Sequence, residues 1–171
     1  MVSTDVWHIE HRQELLILYG KVSVRWAAID LLLVQILRLD LGNSAAAHDL
    51  IFNTTGAGKN RIEGFNRAIG ASRFEQEERR KILTATRLVT DLISARNDII
   101  HSPLVTRLSF EGKTITPHLE KLGKSGKPKP VSIDKIEAHL AAIGRALTQL
   151  EELALELELK YDTDHGEEES A

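Results

Sequence analysis

The sequence predicts a mainly α-helical bundle of four to five helices, with a β-hairpin inserted before the last long helix. Three observations carry this expectation. Long stretches repeat apolar residues at steps of three and four, the period of one helix face. Gly, Asn and Pro stand where those stretches stop. Only residues 104–119 switch to short extended segments around a Gly-containing turn. The 171 residues suit a single domain with its own core, expected over 1–160, followed by an acidic tail over 161–171.

Residues 11–39 read as one long helix, because Leu15, Leu18, Val22, Trp26, Ile29, Leu33 and Ile36 fall on one face. Gly42 and Asn43, helped by Asp40, are expected to end it. A shorter helix follows over 44–52, then a loop of small and polar residues, NTTGAGKNR. Another short helix covers about 61–70, closed by Gly70. Ser72 is placed to cap the next helix, with Glu75 three residues on as in a capping box. That helix runs over about 73–101. It carries Ile82, Val89, Ile93 and Ile100 on one side and Leu88, Leu92 and Ile99 on the other, the pattern of a central helix. Pro103 disfavours helical geometry at Ser102 and stops it near His101. LVTRLSF, EGK and TITPHL form the hairpin, and KLGKSGKPKP reads as a flexible basic loop, so hairpin and loop fill about 104–132. The last helix spans about 133–160 from Ser132 or Asp134, with Ile133, Ile136, Leu140, Ile143, Leu147, Leu150 and Ala154 at helical steps. The tail YDTDHGEEESA has little to bury and is expected to be disordered.

Composition removes several classes of function. With no cysteine there is no disulfide framework, thiol catalysis or thiolate metal site. The start MVSTDVWHIEHRQE lacks a basic segment followed by an apolar run. The longest apolar stretch, AAIDLLLVQIL, is about half a membrane span and contains Asp30. A cytoplasmic protein with no membrane partner is therefore expected.

Charge is unevenly placed. Residues 1–52 carry four Lys/Arg against six Asp/Glu, residues 53–130 fifteen against eight, and residues 131–171 three against eleven. The basic middle could face a polyanion, although charge alone favours an ordinary solvated surface.

The stretch ARNDIIHSP, 95–103, holds the main candidates for chemistry. On a helix, Asn97 and His101 lie about 40° apart, whereas Arg96 and His101 lie about 140° apart. A long arginine and a histidine at the helix end could still converge, and the helix dipole favours a protonated His101 there. Two readings stay open. Arg96 could pair with an acid such as Asp98 or Asp91 while His101 caps carbonyls, or both could meet a phosphate-bearing ligand.

Arg96-Asn97-Asp98-Ile99-Ile100-His101, near the end of a long helix, resembles the R-x4-6-H motif of the HEPN superfamily, in which Asn often follows the arginine. The helical layout of residues 11–160 is similar too. The resemblance implies a metal-independent endoribonuclease that needs no cofactor. His101 would act on the attacking 2′-hydroxyl or the leaving oxygen, Arg96 would stabilise phosphate charge, and Asn97 would orient one of them. The product end would be a 2′,3′-cyclic phosphate. A single histidine cannot easily serve as acid and base in one step, so the resemblance implies a homodimer with facing motifs. It also implies RNA as substrate and an antitoxin or other regulatory protein as partner, in a toxin or defence setting. Lys59, Arg61, Lys113, Lys124 and Lys127 are the expected RNA contacts, because phosphate contacts need only positive charge in reach. The family also contains inactive members, so a binding module for RNA, a nucleotide or a protein is the alternative. A plain helical interaction module with a structural Arg96 and His101 is the third reading.

Other motifs carry less. TTGAGKN fails as a phosphate loop, since Asn53 and Asn60 stand where Gly and Ser or Thr are needed. His8 and His11 have a metal-compatible spacing but no third ligand, and no metal is expected. His118 and His165 have no context, and His139 falls on a helix at the edge of the core. Asn53-Thr54-Thr55 matches a glycosylation acceptor with nothing to route it to secretion.

Overall fold

The computed structural model describes residues 9–54, 58–102, 104–111, 114–123 and 126–161. Helix α1 spans Ile9–Leu41 and α2 spans Ser44–Asp49, followed by a π-helical turn over Leu50–Thr54. Helix α3 is Lys59–Gly70 and α4 is Gln76–Ile100. Strands β1 (Leu104–Glu111), β2 (Thr114–Leu122) and β3 (Pro128–Pro130) precede α5 (Ile133–Tyr161). The chain is thus mainly helical with an antiparallel hairpin before the last helix. Among the described residues no helix is long and apolar enough to cross a membrane. The acidic tail beyond Tyr161 lies outside the described residues.

The junctions show why the helices stop. Gly42 takes a positive φ of 62°, open to a residue without a side chain, and its N–H closes α1 on the Arg38 carbonyl at 2.8 Å. Asn43 belongs to the next helix, since its Oδ1 accepts from the N–H groups of Ala45 (2.8 Å) and Ala46 (3.1 Å). Asp40 accepts from the Arg73 N–H at 2.8 Å and so ties the end of α1 to the chain before α4. The expected cap of α4 is corrected. Ser72 Oγ donates to the Ile69 carbonyl at 2.7 Å and finishes α3. Helix α4 starts three residues later, where Glu78 reaches back to accept from the Glu75 N–H at 2.8 Å.

Two further expectations change. Helix α4 buries Ile82, Ala85, Val89, Ile93 and Ile99, but Leu88 is exposed and Leu92 and Ile100 are half-exposed. The first face is covered at Ile82, Val89 and Ile93, and the second at Ile99 alone. Part of the expected basic loop is sheet: β2 runs on through Lys121 and Leu122, and β3 pairs with it antiparallel, Glu120 opposite Pro130 and Leu122 opposite Pro128. Strand order is β1-β2-β3, with Leu104 opposite Lys121 and Glu111 opposite Thr114 in the hairpin. Two prolines fit β3 because it is an edge strand.

The chain divides into two compact units, to both of which α1, α4 and α5 contribute residues. The first takes residues up to 23 and 94–141, with Leu15, Leu18, Val22, Ile99, Ile136 and Leu140 buried. The second takes 24–93 and 142 onward, with buried Trp26, Ile29, Leu33, Phe65, Phe74, Ile82, Ile143 and Leu150 among its core.

Candidate functional site

Arg96 and Asn97 occupy the last turn of α4, and His101 stands one residue past its end. The His101 N–H donates to the Asn97 carbonyl at 3.0 Å, so the turn stays closed through the histidine. A rigid helix would point Arg96 and His101 away from each other. The helix ends between them, and the long Arg96 side chain bridges the gap. Its Nη1 donates to Asn97 Oδ1 at 3.0 Å and lies 3.0 Å from His101 Nε2. Asn97 and His101 are exposed and Arg96 is half-buried.

A guanidinium can only donate. In this contact the facing Nε2 of His101 is the acceptor. Asp98, one of the acids expected to hold Arg96, is engaged elsewhere: its carboxylate pairs with Lys121 Nζ of β2. The Lys121 hydrogen bond holds the Asp98 carboxyl below its ordinary range against the opposing effect of burial. Arg96, Asn97 and His101 thus form one cluster of a guanidinium, an amide and an imidazole.

The basic residues expected to touch RNA are dispersed. Lys127 is exposed in the β2–β3 turn, in the same unit as the cluster. Lys59 and Arg61 belong to the other unit. Lys59 is exposed, 3.4 Å from Glu63. Arg61 is mostly buried, pairs with the buried Asp30 and stacks its guanidinium 4.8 Å from the Phe52 ring centroid. That placement directs its charge to a carboxylate inside the protein, away from solvent. Lys113 and Lys124 lie outside the described residues.

Sequence reasoning named Ser132 only as a possible start of the last helix and did not single out Tyr19 or Lys135. With Lys121 and Lys129 they line a second cavity of the first unit. The surplus of lysines after the hairpin was the sequence signal for Lys121 and Lys129, which the pairing of β3 on β2 sets opposite each other. Among the described residues no three His, Asp or Glu side chains converge as a metal site would require, and His8 lies outside them. No family model matches the chain, and neither curated proteins nor solved structures provide a match.

Proposed function

We propose that the chain is a HEPN-like, metal-independent endoribonuclease whose site is completed by a second copy. The observation that carries this reading is the contact of Arg96 Nη1 with both His101 Nε2 and Asn97 Oδ1, each at 3.0 Å, on an exposed helix end. RNA supplies its own nucleophile. The neutral Nε2 of His101 takes the proton of the 2′-hydroxyl as that oxygen attacks the adjacent phosphorus. The bond to the 5′-oxygen breaks, leaving a 2′,3′-cyclic phosphate. Arg96 turns its guanidinium to the non-bridging oxygens, where negative charge grows, and Asn97 holds its orientation.

The leaving 5′-oxygen needs a proton that this His101 cannot give in the same step, so a second acid is needed, and in this reading it is the histidine of a second copy. An exposed face of α1 supports a second copy as its source. Ile17, Val24 and Leu31 recur every seven residues and are 57%, 71% and 61% exposed. Gly20, Ala27 and Val34 fill the alternate heptad positions, so the pattern is that of a helix seam. Lys127 offers a phosphate contact beside the site's own unit.

The test is cleavage of a labelled RNA in EDTA. Wild type should cut, and His101→Ala and Arg96→Ala should each lose about a hundredfold or more while remaining folded. Cleavage that persists in both folded variants would remove the reading. Wild type that binds RNA without cutting would make the domain an inactive binding module.

A further inference from the structure

A cleft of about 410 Å³ opens in the first unit, bounded by Tyr19 of α1, Ala95, Asp98 and Ile99 of α4, Lys121 of β2, the residues from Lys129 to Ser132, and Lys135 and Ile136 of α5. The lining shares no residue with the cluster of Arg96, Asn97 and His101 described above. Its charged lining is three lysines, Lys121, Lys129 and Lys135, against one carboxylate, Asp98, which leaves a surplus of two positive charges. Lys121 is largely buried, its side chain 19% exposed, and it pairs with Asp98. Lys129 acts on the same carboxylate through its field. Its stem lies close over Gly123, where a Cβ would come within 3.2 Å of Lys129 Cε, so the glycine makes room for it. Lys135 has no ion-pair partner among the described residues.

Two neutral donors complete the lining. Ser132 is at the start of α5, and Tyr19 is half-buried. Burial, and then the charge of Asp98, push the Tyr19 hydroxyl above its ordinary value, so it remains a donor at neutral pH. The volume is that of a small-ligand pocket. A surplus of two charges matches a dianion. A phosphodiester, with one charge, would leave half of it unanswered.

We infer that this cleft is a binding site for a phosphate group carrying two or more negative charges, held by Lys121, Lys129 and Lys135 with Tyr19 and Ser132 as neutral donors. Asp98 pairs with Lys121 and yields it when the phosphate enters. The site stands independently of any chemistry at Arg96 and His101. Two sources present such a group: a free diphosphate, and the 5′-phosphorylated end of an RNA.

The experiment is calorimetric titration of the full chain with inorganic pyrophosphate. Saturable binding that weakens with salt is expected. Lys129→Ala and Lys135→Ala should each weaken it about tenfold, since a charge-assisted hydrogen bond is worth that much. Asp98→Asn should strengthen it by releasing Lys121, with circular dichroism confirming that the fold is kept. A merely structural Lys121–Asp98 pair predicts the opposite for Asp98→Asn. Lys81→Ala, in the other unit and paired with Glu156, should leave binding unchanged. No binding by wild type, or binding indifferent to Lys129→Ala and Lys135→Ala, overturns the site. Competition by a 5′-phosphorylated oligonucleotide but not by its 5′-hydroxyl twin assigns the group to an RNA end. Competition by neither assigns it to a small molecule. Because no cleavage is read, the result is distinct from the fate of the nuclease reading.

Discussion

His139 shows what a single buried side chain can impose. It lies on α5 at 6% exposure, and its Nε2 finds no hydrogen-bond partner among the described residues. Burial pushes its pKa below the ordinary value of 6.5, because a charged imidazole loses water there and gains nothing in return. The unfolded chain then binds a proton that the folded chain refuses, so stability rises with pH across that interval. It is fully present above about 6.5 and is lost as pH falls from there towards the lower folded value. Calorimetric melting at pH 7.5 and 5.5 should show a drop for wild type and a smaller drop for His139→Leu; equal drops would relocate the effect to other histidines. Position, helix and partial burial of His139 were legible in its spacing from Ile136, Leu140 and Ile143. The missing partner was not, because hydrogen bonding across a fold leaves no local signal. For Arg96 and His101 the same limit worked the other way. Spacing on a straight helix sets them apart, and the reach of the Arg96 side chain at the end of α4 brings them to 3.0 Å.

Helices were legible as elements, and their ends less so. The apolar periods of α1 and α5 located both helices because burial on one face demands that period. The start of α4 was misplaced because Ser72 and Glu75 fit a capping box as well as Glu75 and Glu78 fit its reciprocal half. Packing decides between them. Glu78 is 7% exposed and accepts from the Glu75 N–H at 2.8 Å, from Tyr161 Oη at 2.6 Å and from Lys160 Nζ at 2.8 Å. Tyr161 in turn meets Phe74 edge to face, with centroids 5.2 Å apart. Burial raises the Glu78 pKa, but its three donors outweigh burial and leave it below the ordinary value. Its stabilisation is therefore present above about pH 4.5 and is lost as pH falls through the lowered folded value. Glu78→Gln keeps the size, removes the charge and leaves Lys160 without its buried partner. It should cost about 2 kcal/mol in urea unfolding at pH 7. The difference from wild type should shrink at pH 3, where the wild-type carboxyl approaches neutrality. A constant cost across that range would mean that shape, not charge, sets the contribution. Strand β3 escaped sequence reading for a related reason: three residues containing two prolines carry no alternation, and only β2 beside them makes an edge strand.

At the scale of the whole molecule, the segregated charge was legible but its meaning was not. The basic middle of the chain splits between two units, and one of its arginines, Arg61, is spent on Asp30 inside the protein. Net charge along a sequence therefore overstates the surface offered to RNA. Assembly is the level at which the proposed activity stands or falls. One His101 can take a proton but cannot also deliver one in the same step, so the proposed site would draw a histidine from each of two copies. A closed two-fold pair places the same residue of both chains at one interface. This has a quantitative consequence for mixtures. Wild type and His101→Ala, allowed to exchange subunits freely, pair at random. Only pairs with two intact histidines cut at the full rate, so activity follows the square of the wild-type fraction. At equal mixing it should fall to about one quarter of the unmixed wild-type value at the same total chain concentration, against about one half if each copy acts alone. A labelled-RNA assay across the mixing series separates the curve from the line. A straight line would leave Arg96 and His101 as a one-chain site and would require another group in the same unit to protonate the leaving oxygen.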